Sequence, residues 1–343
     1  MNLEDLLGTQ PSTVDGRRWR TCALVPTDAP GPALAACLRA ATAAPSIYNT
    51  QPWLFRIHRD GVNVVPDLKR RLTVADPSAR ELLISVGGAV LNLRLAILLS
   101  GRVPIVRQPA GPVREDSTIQ LAIGPRTSVS TSARRLGAAI GRRRTNRHPF
   151  GAAAVPQPVL RELWAAAAAE GATLAVPEPN RRDAVLEIIR TADRRRSADP
   201  AYRAELARWT GPAEERRDGV TFDTVGSTAT HNTVPLRDFL PGRVRHRPRP
   251  VPFEDRPRIV VLSTAGDGPA DWLRAGQALE RLWLTATVRG LSVTPMTQAL
   301  ELPDLRGLLA DINAGCPQLV LRLGYGPLSA SSPRRALADV LLD

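Results

Sequence analysis

Apolar residues recur along this chain at two periods, and the two periods divide it into elements. After Pro32, the run Ala33-Leu-Ala-Ala-Cys-Leu-Arg-Ala-Ala-Thr-Ala-Ala44 has helical spacing, and Pro45 stops it. Trp53-Leu-Phe-Arg-Ile-His58 and Val62-Asn-Val-Val65 flank Arg59-Asp-Gly61, which predicts a β-hairpin. Residues 81–99 predict a long apolar helix with Gly101 placed to cap it, and 119–123 a short strand. In the second half, 158–170 predicts an alanine-rich helix, 172–176 a strand and 183–196 a helix. Residues 270–289 predict another long apolar helix ending at Gly290, and 318–323 a strand. Between about 197 and 257 the pattern dissolves into Pro, Gly, Arg and Asp. So long an irregular stretch implies a lid, a binding loop or a linker.

The two long helices resemble each other. Gly87 to Gly101 and Gly276 to Gly290 each span fourteen steps, with Ala at the second step and Leu at the sixth and eighth. Each is followed by a strand and a Gly-Pro turn, Ile123-Gly-Pro125 and Tyr325-Gly-Pro327. Two unrelated buried helices, or two copies of one fold in a single chain, both fit this pattern.

Composition narrows the function. The chain has 343 residues, 43% of them hydrophobic, and a formal charge of +13. Nucleic acid is the obvious partner for such a charge. Yet Lys69 is the only lysine, and the arginines are scattered as codon bias in a GC-rich genome would scatter them. The dense runs Arg194-Arg-Arg196 and Arg243-Val-Arg-His-Arg-Pro-Arg249 contain no stacking aromatic, so nucleic-acid binding is not expected. No apolar run reads as a membrane span, and the acidic start is unlike a signal peptide, so a cytoplasmic protein is expected. Cys22, Cys37 and Cys316 lack metal or disulfide spacing. His58, His148, His231 and His246 form no metal motif, and Glu214-Glu215 reads as solvated surface. Rossmann, P-loop and serine-elbow motifs are absent.

Two segments remain. Arg142-Arg-Arg-Thr-Asn-Arg147, before His148-Pro-Phe150, places guanidinium groups two residues either side of Thr145. That spacing can wrap one phosphate, or it can be an exposed basic helix end. Pro45-Ser-Ile-Tyr-Asn49-Thr-Gln-Pro-Trp53 suits a turn whose donors meet a polar ring edge, or a plain helix-to-strand loop.

Together these segments resemble the nitroreductase superfamily of flavin enzymes. Arg143, Thr145 and Arg147 match its R-x-S-x-R-x-F motif, with Thr for Ser and one extra residue before Phe150. Pro45, Ser46, Asn49, Gln51, Pro52 and Trp53 match its P-S-x-x-N-x-Q-P-W loop in full. Leu291-Ser-Val-Thr-Pro295-Met-Thr297 is similar to the family's G-L-x-x-x-P segment.

The resemblance implies an α+β nitroreductase-like fold that is an internally duplicated pseudo-dimer. Residues 1–130 would form the half carrying the loop, and 131–343 the half carrying the arginine motif, with 197–257 as an insertion or lid. Ordinary members are homodimers with the motifs in the opposite order. This order looks like the single-chain Acg-type branch, with one FMN per chain, as a monomer or homodimer. The residues implied to hold FMN are Pro45, Ser46, Ile47, Asn49, Arg143, Thr145, Arg147, Thr297, Arg334 and Arg335. No side-chain acid or base is implied to be catalytic. The resemblance further implies NAD(P)H as donor and a flat acceptor such as a nitro-aromatic or quinone. The long insertion leaves a second possibility, a lidded FMN-storage protein with little turnover.

Overall fold

The computed structural model describes residues 31–108, 118–212, 214, 216–230, 233–241, 246–312 and 315–343. The acidic first segment, Cys22, Glu215, His231, Arg243 and Arg245 lie outside them. The chain opens with α1 (Pro32–Thr42), then the hairpin β1 (Trp53–His58) and β2 (Gly61–Pro66). There follow α2 (Arg80–Leu99), β3 (Arg102–Arg107), β4 (Ile119–Arg126) and α3 (Thr131–Ile140). Next come α4 (Gln157–Ala168), β5 (Thr173–Ala175), α5 (Pro179–Ala198) and α6 (Pro200–Arg208). Two short ladders follow: β6 (Thr210–Gly211) with β7 (Val220–Thr221), and β8 (Thr228–Ala229) with β9 (Pro250–Val251). The chain closes with β10 (Arg258–Thr264), α7 (Pro269–Val288), β11 (Ser292–Pro295), α8 (Pro303–Ile312), β12 (Cys316–Gly324) and β13 (Leu341–Leu342).

The longer strands build two sheets flanked by helices, an α+β arrangement. One has the order β13-β1-β2-β4-β3 and is antiparallel except where β13 runs parallel to β1. The other, β11-β12-β10-β5, is antiparallel throughout. The hairpin forms as its alternation predicts, with His58 opposite Gly61. Strands β3, β10 and β11 and helices α3 and α6 go beyond the expected elements. Helix α6 and the end of α5 also correct the reading of 197–257 as wholly irregular. Proline and arginine dominate that stretch in composition, but Tyr202 and Leu206 bury one face of α6.

Helices α2 and α7 cross at the centre, and the crossing is set by two glycines. A Cβ on Gly276 would stand 1.9 Å from the Ile84 carbonyl oxygen and 2.9 Å from Gly87 Cα. A Cβ on Gly87 would stand 2.2 Å from the Leu273 oxygen and 3.0 Å from Gly276 Cα. The matching glycines of the two similar helices therefore touch each other. Each helix then packs its own sheet: Val86, Val90 and Leu93 against Phe55 and Val64, and Ala278 and Leu282 against Val260 and Leu321. Both helices end at left-handed glycines, Gly101 (φ 76°) and Gly290 (φ 71°).

One expectation is corrected. By length and apolarity alone α2 is a run that could cross a membrane, but 94% of its apolar window is buried inside the protein. The arginines, scattered in the sequence, are not all at the surface. Arg80, Arg94, Arg143, Arg196, Arg281 and Arg322 are buried, held by carboxylates and backbone carbonyls.

Gly276→Ala should destabilise the protein by about 1–3 kcal/mol, because the Ile84 backbone cannot yield to a Cβ. Gly88→Ala, whose Cβ meets nothing nearer than Pro45 Cδ at 3.6 Å, should be neutral or stabilising by up to about 1 kcal/mol. Denaturant midpoints of the two variants check the contrast.

Candidate functional site

The loop between α1 and β1 is held in an unusual shape. Tyr48 (φ 47°), Asn49 (φ 54°) and Gln51 (φ 50°) are all left-handed without being glycine. Such residues cost on the order of 1 kcal/mol or more each, and persist where the surroundings over-determine them. Here they do. Ile47 N–H donates to Ser85 Oγ (3.1 Å), and Gln51 N–H to Ser46 Oγ (2.9 Å). Asn49 Nδ2 donates to the carbonyls of Gly219 (3.0 Å) and Pro333 (3.1 Å), and Gln51 Nε2 to that of Arg217 (3.0 Å). Helix α2, the 197–257 insertion and the C-terminal arm thus all hold one loop.

The arginine motif leaves α3 and runs beside the second sheet. Thr145 bridges Val293, and Asn146 N–H donates to the Val293 carbonyl (3.1 Å). Arg143 and Arg147 then diverge. Buried Arg143 donates to the Ala43 carbonyl (3.1 Å), lies 4.7 Å over the Trp283 ring and approaches Glu280 (3.4 Å). Arg147 donates to the Thr224 carbonyl (2.8 Å) and lies 4.7 Å over Phe239, both in the insertion. Burial, and secondarily Arg237, lowers the Arg147 guanidinium to about 10.

Between loop and motif lies a narrow slot, partly open to solvent. Pro45, Ser46, Ile47, Thr145, Arg147 and Thr297, six of the ten residues singled out from the sequence, line it. Helix α2 adds Glu81, Ile84 and Ser85, and α7 adds Leu279 and Trp283. Asp76 sets the first of these, because its carboxylate accepts from the N–H groups of Glu81 (3.1 Å) and Leu82 (2.8 Å) and so caps α2. Burial pushes the Glu81 carboxyl up to about 7, against the pull of Arg80.

The insertion closes one side with Leu236, Arg237 and Phe239. Arg237 ties the most groups together. It donates to Tyr48 Oη (2.7 Å) and Thr297 Oγ1 (3.0 Å), and also bonds Tyr202 and Glu301. Nothing in the local sequence marks Arg237, since it sits alone between Leu236 and Asp238 in the stretch without periodicity. Glu81 and Ser85 lie within two turns before the repeated Gly87, the nearest sequence signal to them.

The other four predicted residues do not line the slot. Asn49 Oδ1 accepts from Arg334 (3.1 Å), and Arg334 joins Arg143 in donating to the Ala43 carbonyl (3.1 Å). These three form a cluster behind Pro45. Arg335 is separate. Its backbone N–H donates to Gln51 Oε1 (2.8 Å), and its side chain lies beside Asp67 and Asp339.

No family model matches the chain. Among sequence relatives, a Mycobacterium tuberculosis protein named "Putative NAD(P)H nitroreductase" is 32% identical over 322 residues, 89% of this chain and 89% of the relative. Another of that name, acg, is 29% identical over 303 residues, 87% of this chain and 91% of its own. An uncharacterized protein of the same organism is 32% identical over 312 residues, 87% of this chain and 89% of its own. Of solved structures, the FMN-dependent nitroreductase NfnB from Mycobacterium smegmatis in complex with NADPH aligns with 61% of this chain and 97% of its own. That alignment has 17% identity and a TM-score of 0.37.

Arg237→Ala should cost about 3–5 kcal/mol, because Glu301, whose side chain is 0% exposed, loses its main counter-charge. Adding Glu301→Gln should restore part of that loss. Denaturant unfolding of the single and double variants checks both values.

Proposed function

The chain belongs to the nitroreductase family, and on that premise we propose that it is an FMN-dependent NAD(P)H oxidoreductase reducing a flat acceptor such as a nitro-aromatic or a quinone. One observation carries the reading. Three segments some hundred residues or more apart, around Ser46, Thr145 and Thr297, line one slot.

The residues present fit a flavin mononucleotide. Behind the slot, Arg143 and Arg334 share a neutral carbonyl acceptor, and Arg143 Nε is buried with no hydrogen-bond partner. Guanidinium groups in that state suit a phosphate. Asn49 would orient the loop, and Pro45, Ser46 and Ile47 would meet the ring edge. Thr145 would add a hydroxyl donor, and Thr297 would line the ring from the segment after β11. Bound FMN supplies hydride chemistry, taking two electrons from one partner and giving them to the next. The chain's own contribution is charge and cover. Arg147 puts positive charge on the slot, where burial makes it act more strongly than in water, while the charge of Arg237 is answered by Glu301. Leu236 and Phe239 cover one side of the slot. A duplicated fold with one site per chain accords with the glycine contact between α2 and α7.

A second reading has its own support. Insertion residues line the slot itself, so a flavin stored beneath them with little turnover fits as well. Steady-state oxidation of NADH and NADPH by FMN-loaded protein separates the two. Turnover with nitro-aromatic or quinone acceptors is expected for the oxidoreductase, whereas none with either donor would leave storage. Arg147→Ala should weaken FMN retention by about 10- to 100-fold, the worth of a hydrogen bond to a charged group. Equilibrium dialysis measures it.

A further inference from the structure

Glu280, in the middle of α7, is 0% exposed, and neither of its carboxylate oxygens has a hydrogen-bond partner. Arg143 Nε stands 3.4 Å from Oε1, too far for a good hydrogen bond. A buried carboxylate so poorly served is destabilising, as an uncompensated charge is. Its neighbours explain its presence. Arg143 reaches it from the turn after α3, with Arg144 beyond, and Arg334 from the C-terminal arm. Asn92 faces it from α2, and that side chain too lacks a hydrogen bond of normal geometry. From the turn after α4, Glu170 is engaged by Arg94 and Arg281 instead.

Arg143 and Arg334 both donate to the Ala43 carbonyl, each at 3.1 Å, and Arg334 also donates to Thr42 O (2.9 Å) and Ala44 O (3.2 Å). A buried and a half-buried guanidinium group thus meet at the carbonyl end of α1, with one carboxylate beside them. A phosphate dianion arriving there would balance both charges and leave none for Glu280.

We propose that Glu280 is a proton-linked counter-ion for the FMN phosphate, ionised beside Arg143 and Arg334 in the free protein and taking one proton from solvent as the phosphate takes them over. The inference rests on the flavin reading above. Burial pushes the free carboxyl up to about 7, and the two arginines oppose that rise. A bound phosphate cancels their pull and adds negative charge, which raises the carboxyl further. Below about pH 7 the group is already neutral and no proton is exchanged. Above it, binding takes up a proton, so FMN affinity falls as pH rises.

The test is a titration of apoprotein with FMN, followed by flavin fluorescence from pH 6.5 to about 8. That window lies above the second phosphate ionisation near pH 6 and below the value of about 9 to which burial and Arg143 lower Arg334. Wild-type Kd should rise about five- to tenfold between about pH 7 and pH 8, the slope of one linked proton, and Glu280→Gln should be flat. Calorimetry at about pH 8 in two buffers of different ionisation heat should count close to one proton taken up per FMN. It should count none for riboflavin, which lacks the phosphate. The wild-type proton count stands alone if the variant does not fold. A pH-independent wild-type Kd, zero proton uptake, or an unchanged slope in Glu280→Gln overturns the assignment. Absence of FMN binding at every pH overturns instead the flavin reading beneath it.

Discussion

Helices α2 and α7 cross with backbone against backbone at Gly87 and Gly276, and the rest of the molecule is arranged around that contact. Each helix carries the core of its own sheet, so the distance between the helices also sets the distance between the sheets. The same pair supplies the floor of the slot, with Ile84 and Ser85 from one helix and Leu279 and Trp283 from the other. A side chain at either glycine would push Ile84 or Leu273 and open the floor. Stability and site geometry therefore share one constraint.

The second organising force is buried positive charge. Arg237 gathers Tyr48, Thr297 and Glu301 at the mouth of the slot, while Arg143 and Arg334 gather at the end of α1. The two groups differ in how well they are answered. Arg237 has a buried carboxylate close by, so the insertion is fixed in place. Arg143 and Arg334 rely on neutral carbonyls and on a carboxylate without hydrogen bonds, which suits an anionic ligand.

Local signals explain what the sequence revealed. The Asp-Gly hairpin, the apolar helices and the loop after Pro45 are each written within some twenty residues, and the structure forms them. Pro45, Ser46, Ile47, Thr145 and Arg147 of the slot were legible because the loop and the arginine motif are dense patterns. What stayed hidden depends on distance along the chain. Arg334 meets the Ala43 carbonyl across 291 residues, and β13 is two residues long, recognisable only by its pairing with Phe55 and Arg56. Arg237 and Glu280 are single charged residues in unremarkable surroundings, and only the fold gives them neighbours. Strand β10 is apolar enough to predict, but the proline-rich stretch before it obscured where it begins.

The central claim is that one composite slot takes one flavin mononucleotide per chain. The most direct measurement is a stoichiometric titration of apoprotein with FMN well above Kd, read by the change in visible absorbance. The account predicts a sharp end-point at one FMN per chain and a red-shifted or structured flavin band typical of a buried ring. An end-point at two per chain would contradict the single composite site. A spectrum unchanged from free FMN would contradict the flavin site altogether.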